Sequence, residues 1–301
     1  MTKPSPFILP YAVTSLVFVL ILAMLSAPRA QADTPAMPAP DMEGVSWLAG
    51  SAMEGGILIG RLDPGLEMTL GDETVPTATN GHFIIGFHRD SDTPQQLTVS
   101  AADGARRQIT LTAGQRTYDV QRIDGLKRDH VTPPQAVLDR ISSDSAAVRT
   151  ARGRHDAGKG SGDFLAGFAR PASGQVTGIY GSQRILNGAP RQPHYGIDIA
   201  APRGTPVTAP AAGRVTLVRD LYFSGWTLLI THGMGLNAAF LHLDTVAVTE
   251  GEEVARGQVI GTVGSTGRST GPHLDWRLDW QGRRLDAALV SDQLASLAGG
   301  S

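Results

Sequence analysis

Gly271-Pro-His273-Leu274-Asp275-Trp276-Arg277-Leu278-Asp279-Trp280 alternates between ionisable and apolar side chains from His273 onward. Period two is the mark of a strand with unlike faces. Leu274, Trp276, Leu278 and Trp280 form one face, and His273, Asp275, Arg277 and Asp279 the other. At a rise of ~3.3 Å per residue, His273 and Asp275 stand about 6.6 Å apart on the polar face. One of them can hold a metal ion while the other stands beside the ion's water, but both as ligands would require a bent strand. Arg277 and Asp279 share that face and read either as surroundings of Asp275 or as a surface ion pair. The neighbouring runs Gly213–Arg219, Thr227–Thr231, Ala238–Leu243 and Val259–Val263, separated by Gly- and Pro-rich turns, predict partner strands between Phe164 and Leu289.

The pattern continues upstream. Ile57–Leu62, Leu66–Leu70, Phe83–Phe87, Gln96–Ala101, Gln108–Thr112 and Tyr118–Ile123 read as short strands, with Asn80-Gly81 and Asp103-Gly104 where hairpin turns need positive φ. Six strands in so short a stretch predict a small β-sandwich at 45–125. Pro133-Pro134 precedes Gln135–Arg154, whose Val137, Leu138, Ile141 and Val148 follow helical spacing, so 126–162 reads as a helical connector. A C-terminal antiparallel β domain follows at 163–290, and the small, polar residues 291–301 predict a disordered tail. The expected fold class is mainly β.

The first residues read as an address. Lys3 precedes an apolar run from Tyr11 to Leu25 and the small-x-small site Ala30-Gln31-Ala32. That run is shorter than the ~20 residues a membrane span usually needs, so 1–32 reads as a signal peptide, the alternative being an uncleaved anchor starting near Phe7. A Pro/Ala linker occupies 33–44. The expected location is periplasmic or secreted, with no stable membrane span after signal cleavage. Among 301 residues there is no Cys, which excludes disulfides, thiolate metal sites and a cysteine nucleophile. A formal charge of −2 argues against nucleic acid as the partner.

Histidines and acids concentrate in the C-terminal half: His194-Tyr-Gly-Ile-Asp198, Phe240-Leu-His242-Leu243 and His273-Leu-Asp275. Gly196 and the following Ala-Ala-Pro argue against a helix at 194–198. A straight strand would hold His194 and Asp198 ~13 Å apart. For both to hold one ion, either the chain bends at Gly196 or His194 hangs from the preceding loop and folds back.

Together with Gly204-Thr-Pro-Val207, Ala211-Ala-Gly213-x-Val215, the run from Gly251 to Gly261, and Thr266-Gly267 leading to Gly271-Pro-His273, these motifs resemble the lysostaphin/LytM-type zinc endopeptidases, metallopeptidase family 23. The resemblance implies a compact antiparallel β domain with a groove, hydrolysing peptidoglycan stem or bridge peptides. It implies Zn2+ held by His194, Asp198 and the residue at 275, with His242 and His273 flanking the metal-bound water as catalytic groups. The family's third ligand is a second His. Here Asp275 stands in its place, and aspartate also binds zinc. Two carboxylates cancel a divalent charge, which predicts a weaker Lewis acid and a less acidic bound water. The alternative reading is a non-catalytic LytM-like module that binds peptidoglycan or activates a cell-wall amidase as its partner. Glu250–Val259 also resembles biotinyl or lipoyl carriers, but no lysine follows Lys159 to accept the group.

Overall fold

The computed structural model describes residues 42–125, 133–154 and 162–299. The expected signal segment and most of the 33–44 linker lie outside these residues. Among the described residues no helix is long and apolar enough to cross a membrane.

The architecture is mainly β, as expected. Val45–Gly50, Ile57–Leu62 and His82–Gly86 form one antiparallel sheet in that order. Glu73–Thr74, Leu66–Leu70, Gln95–Ala101 and Arg106–Leu111 form a second. Alternation decides the inward faces: Met68, Leu70, Leu97 and Val99 are buried, while Glu67 and Gln96 are exposed. Val45–Gly50 is a strand the sequence runs do not show. Its Trp47 meets Phe83 edge-on at 5.6 Å. The run at Tyr118–Ile123 belongs elsewhere: Val120–Ile123 lies parallel to Gln183–Leu186, outside both small sheets.

These sheets and the C-terminal region share one apolar core, which runs from Ile57 and Phe83 to Trp280, Leu285 and Val290. Gly86 marks the junction, since a Cβ there would stand 2.9 Å from Trp280 Cβ and 3.0 Å from Leu285. The predicted connector helix is present as Leu138–Arg152, entered by a 3-10 turn at Gln135–Val137.

The expected disordered tail is not observed. Ala287–Gly299 is a helix. Small residues in this stretch suggested fraying, yet Val290 and Leu294, one turn apart, are fully buried. Asp286 Oδ1 caps the helix by accepting the backbone N–H groups of Ala288 (3.0 Å) and Leu289 (3.3 Å). Gln293 Oε1 accepts the Ile57 N–H at 2.9 Å, tying the helix to the first sheet.

The C-terminal sheet has ten strands. Its path runs Glu253–Val254, Gly213–Leu221, Gly225–Gly233, Leu236–Val246, His273–Trp280, Ile197–Ala200 and Gln175–Gly178. His273–Trp280 is therefore flanked on both sides by antiparallel partners. Its apolar face is wholly buried, as the alternation predicts. Its polar face is partly covered: His273 and Arg277 keep some exposure, whereas Asp275 and Asp279 are each only 2% exposed. Charges almost never sit that deep unless they are paired, so their partners identify the site.

Candidate metal centre

Register brings the two acids together. In the pairing of Ile197–Ala200 with His273–Trp280, Asp198 lies opposite Asp275. On the other flank Leu241 lies opposite Asp275, which delivers His242 to the same place. The ladder breaks at His242: pairing with the His273 strand ends at Leu241, and pairing with Val259–Val263 begins at Leu243. His242 has φ +63°, a left-handed conformation that costs a non-glycine residue roughly 1–2 kcal/mol. Its N–H donates to Ser224 O (2.9 Å), and its Nδ1 lies 2.7 Å from Thr266 O, so the surroundings hold the ring in this conformation.

His194 does hang from the loop before the strand, which begins at Ile197. Its N–H donates to Ser182 O at 2.9 Å, and its carbonyl accepts from Gly181 at 2.7 Å. The role of Gly196 is spatial. A Cβ there would overlap Asp275 Oδ1 and come 2.7 Å from Arg277 Cγ. Gly178 does the same for Asp198, whose carboxylate occupies the position a Cβ would take.

His194, Asp198 and Asp275 each present one donor atom, all within 4.8 Å of one another. His194 Nε2 and Asp198 Oδ1 are 3.1 Å apart, yet both are buried without hydrogen-bond geometry, as is His194 Nδ1. Buried polar atoms left unpaired are costly, so acceptors converging on one point fit a cation between them. A His/Asp/Asp donor set is compatible with zinc.

His242 and His273 stand beside this cluster with ring centroids 4.8 Å apart. His273 Nδ1 lies 2.8 Å from Gly271 O, and its Nε2 is 3.9 Å from Asp198 Oδ1. A carbonyl partner at each Nδ1 fixes the proton there and leaves Nε2 as the acceptor. Burial lowers the His242 pKa, with His273 and Arg277 adding to that effect against Asp275 and the Thr266 carbonyl. That shift favours the neutral ring, whose Nε2 can take a proton.

Arg277 is what the sequence left open. Its guanidinium grips both Asp275 oxygens: Nε lies 3.0 Å from Oδ1 and 3.1 Å from Oδ2, and Nη2 lies 2.6 Å from Oδ2. Burial raises the Asp275 pKa, but the charge of Arg277, with the hydrogen bonds it donates and the His194 ring, outweighs it and holds the carboxyl well below its usual range. Arg184 Nη2 donates to Asp198 Oδ2 at 3.1 Å. Asp198 is likewise held low, because the His194 ring and Arg184 outweigh burial and the Asp275 charge. Each carboxylate therefore faces a guanidinium, and the charge cancellation expected from two acids alone does not describe this cavity. Asp279 takes no part: it pairs with Arg152 at 2.7 Å and accepts from Asn237 at 3.3 Å.

Four of the five sequence-predicted residues line one cavity of about 880 Å³, and the fifth, His194, reaches Asp198 and Asp275 with a donor atom within 4.8 Å of theirs. One side is the helix Leu138–Arg152, docked through Val148 and Ala151 onto Leu217, Leu229 and Leu241. Its Asp144 accepts the Tyr222 N–H at 2.8 Å. Tyr180 is core, donating to Arg284 O at 2.8 Å. His232 is a buried support whose Nδ1 meets Ala212 O at 2.8 Å, and burial pushes its pKa down to about 4. Trp276 and Trp280 are buried, whereas Trp226 is 40% exposed. Sequence reasoning missed Arg184 and the Thr266 carbonyl. Only the i, i+2 spacing of Arg277 from Asp275 offered any signal for the arginine contacts.

The profile of Peptidase family M23 matches residues 192–287, the segment that holds all five residues. Peptidoglycan DD-endopeptidase ShyA of Vibrio cholerae serotype O1 is 41% identical over 104 residues, 35% of this chain and 24% of that protein. DD-carboxypeptidase/endopeptidase Mpg of Neisseria meningitidis serogroup B is 43% identical over 98 residues, 33% of this chain and 23% of that protein. The chain thus spans about a quarter of the length of these curated relatives. A solved Pseudomonas aeruginosa chain assigned to peptidase M23 superposes with a TM-score of 0.63 at 28% identity, over 83% of this chain and 96% of that one. Motifs, cross-strand register and these matches agree that residues 192–287 form a domain of peptidase family M23.

Proposed function

We propose that the chain is an exported, zinc-dependent endopeptidase that cuts peptide cross-bridges of peptidoglycan in the cell envelope. The observation that carries the reading is the convergence of His194, Asp198 and Asp275 on one point beside the His242–His273 pair. The wall peptides come from relatives such as ShyA, named a peptidoglycan DD-endopeptidase. Export is supported by the apolar run from Tyr11 to Leu25 followed by Ala30-Gln31-Ala32.

His194, Asp198 and Asp275 would hold the ion. Bound there, zinc supplies Lewis acidity and a water acidic enough to lose its proton near neutrality. His242 Nε2 accepts a proton at the site, its ring oriented by Thr266 O. His273, oriented by Gly271 O, would donate from Nε2 to the developing oxyanion or the leaving amine only as the imidazolium, with Nδ1–H still on the carbonyl.

A second reading, a non-catalytic module that binds peptidoglycan or activates an amidase, is favoured by the grip of Arg277 on Asp275. Zinc content and turnover of purified peptidoglycan decide between them. The enzyme reading expects bound zinc and cleavage, both lost in Asp198→Ala, and expects His242→Ala to retain zinc while turnover falls about 10²–10⁴-fold. Wild-type protein that takes up no zinc and cleaves nothing supports the second.

A further inference from the structure

The helix Leu138–Arg152 lies outside the matched segment 192–287, yet it reaches the site. Only two of its 15 residues are buried, and one of them is an acid, Asp144, 6% exposed. Aspartate is a poor residue for a helix interior and a costly one to bury, so its place here needs a cause. Helix docking does not supply it, because the apolar contacts are made by Val148 and Ala151. Arg219 and Arg140 stand 3.5 Å and 3.8 Å from the carboxylate, and each is also engaged elsewhere, by Ser143 and Asp220. The close contact is with backbone: Asp144 Oδ2 accepts the Tyr222 N–H at 2.8 Å.

Tyr222 opens the turn Tyr222-Phe223-Ser224, which joins the strands Gly213–Leu221 and Gly225–Gly233. That turn holds His242 in two ways. Ser224 O accepts the His242 N–H at 2.9 Å. Phe223 O accepts the Arg268 N–H at 2.7 Å, and Thr266 Oγ1 accepts the Trp226 N–H at 3.0 Å, so the 266–268 loop rides on the turn. Thr266 O then lies 2.7 Å from His242 Nδ1. Turn and loop are packed without slack, since a Cβ on Gly267 would overlap Gly225 N. The left-handed backbone of His242, φ +63°, persists only where its surroundings over-determine it. Backbone and ring are both fixed by one turn, and a carboxylate from a separate element pins that turn.

We propose that Asp144 is a positioning residue for His242: by holding the Tyr222–Ser224 turn it sets the backbone and ring of the proton acceptor, which makes the connector helix part of the active site. The mechanical link stands by itself; its consequence for turnover rests on the peptidase reading.

Amide hydrogen exchange of the full chain tests the link without turnover. Asp144→Ala should speed exchange of the His242, Trp226 and Arg268 amides at least tenfold, about 1.4 kcal/mol, and leave the strand Ile57–Leu62 unchanged. Asp144→Asn keeps one acceptor oxygen and should recover most of that protection. Asp144→Leu fills the space without an acceptor and repeats the test if the alanine variant does not fold. Unchanged exchange at His242, an equal rise in Ile57–Leu62, or an asparagine variant as unprotected as alanine overturns the proposal. Turnover of purified peptidoglycan fragments is the second readout. In Asp144→Ala kcat should fall at least tenfold with KM within about twofold, because Asp144 acts on His242 and not on substrate. Unchanged kcat overturns the proposal, as does a raised KM alone, which would make Asp144 a substrate contact on the cavity wall. No turnover in the wild type, with the exchange pattern as expected, removes the peptidase reading and leaves the link standing.

Discussion

Asp275→Asn tests whether the pair at 275 and 277 is a real energetic unit. Both Asp275 oxygens accept from Arg277, at 2.6–3.1 Å, and the carboxylate is 2% exposed. Breaking a buried ion pair from one side costs about 3–5 kcal/mol. The Arg277 side chain keeps 26% of its exposure, and Asn retains one acceptor, so the cost falls below that range, at about 2–3 kcal/mol. At ~2–4 °C per kcal/mol for a domain of this size, the midpoint should fall by about 4–12 °C. Urea unfolding at pH 7 in EDTA, repeated for Arg277→Gln and the double variant, isolates the coupling. It should be about 2 kcal/mol or more, with the double variant less destabilised than the singles sum to.

The pH dependence has a fixed sign. The Asp275 pKa is lowered in the folded state, because the charge of Arg277 overcomes the upward push of burial. The stabilisation is therefore present above the unfolded carboxylate value, about 3.9, and fades as pH falls below it. The wild-type advantage over Asp275→Asn should shrink on acidification below about pH 4. A coupling under about 0.5 kcal/mol, or an advantage that grows in acid, refutes the reasoning.

Three further outcomes follow from the same geometry. Arg277→Gln removes a cation from beside the candidate ligands and should tighten zinc at least tenfold in a chelator competition; unchanged affinity would mean Asp275 does not reach the ion. Gly178→Ala places a methyl on the Asp198 carboxylate, so it should cost about 1–3 kcal/mol and lower zinc occupancy, read by unfolding and metal analysis. Leu294→Ala should cost about 2–5 kcal/mol if the terminal helix is part of the core, whereas a frayed tail would leave the midpoint unmoved.

Period two in His273–Trp280 and the spaced apolar runs were enough for the mainly β fold, because burial imposes that period on every strand that has one wet face. The five candidate site residues could be named for a different reason: each stands in a motif that resembles the family's and whose residue types suit metal and proton chemistry. The helix Ala287–Gly299 was not legible, since its stability comes from Leu294 and Val290 entering a core built mainly by residues far away in sequence. Nor was the departure of Val120–Ile123 from the small sheets, because its partner Gln183–Leu186 lies beyond the connector and a parallel pairing leaves no local signal.

Gly196, Asp275 and Arg277 show why a substitution read alone misleads. An Asp where the family places a His looks like the loss of one ligand. Period two puts Arg277 on the same face as Asp275, so the acid arrives with its own cation. Antiparallel pairing sets Ile197 against Trp276, and the next step along both strands sets position 196 against Arg277. A side chain there would strike Asp275 Oδ1 and the Arg277 stem, and glycine leaves the room that the pair fills. The three positions form one arrangement, assembled by register from segments far apart in the sequence. Returning His to 275 alone would strand the buried Arg277 without its acid, so a gain in metal affinity should require the change at 277 as well.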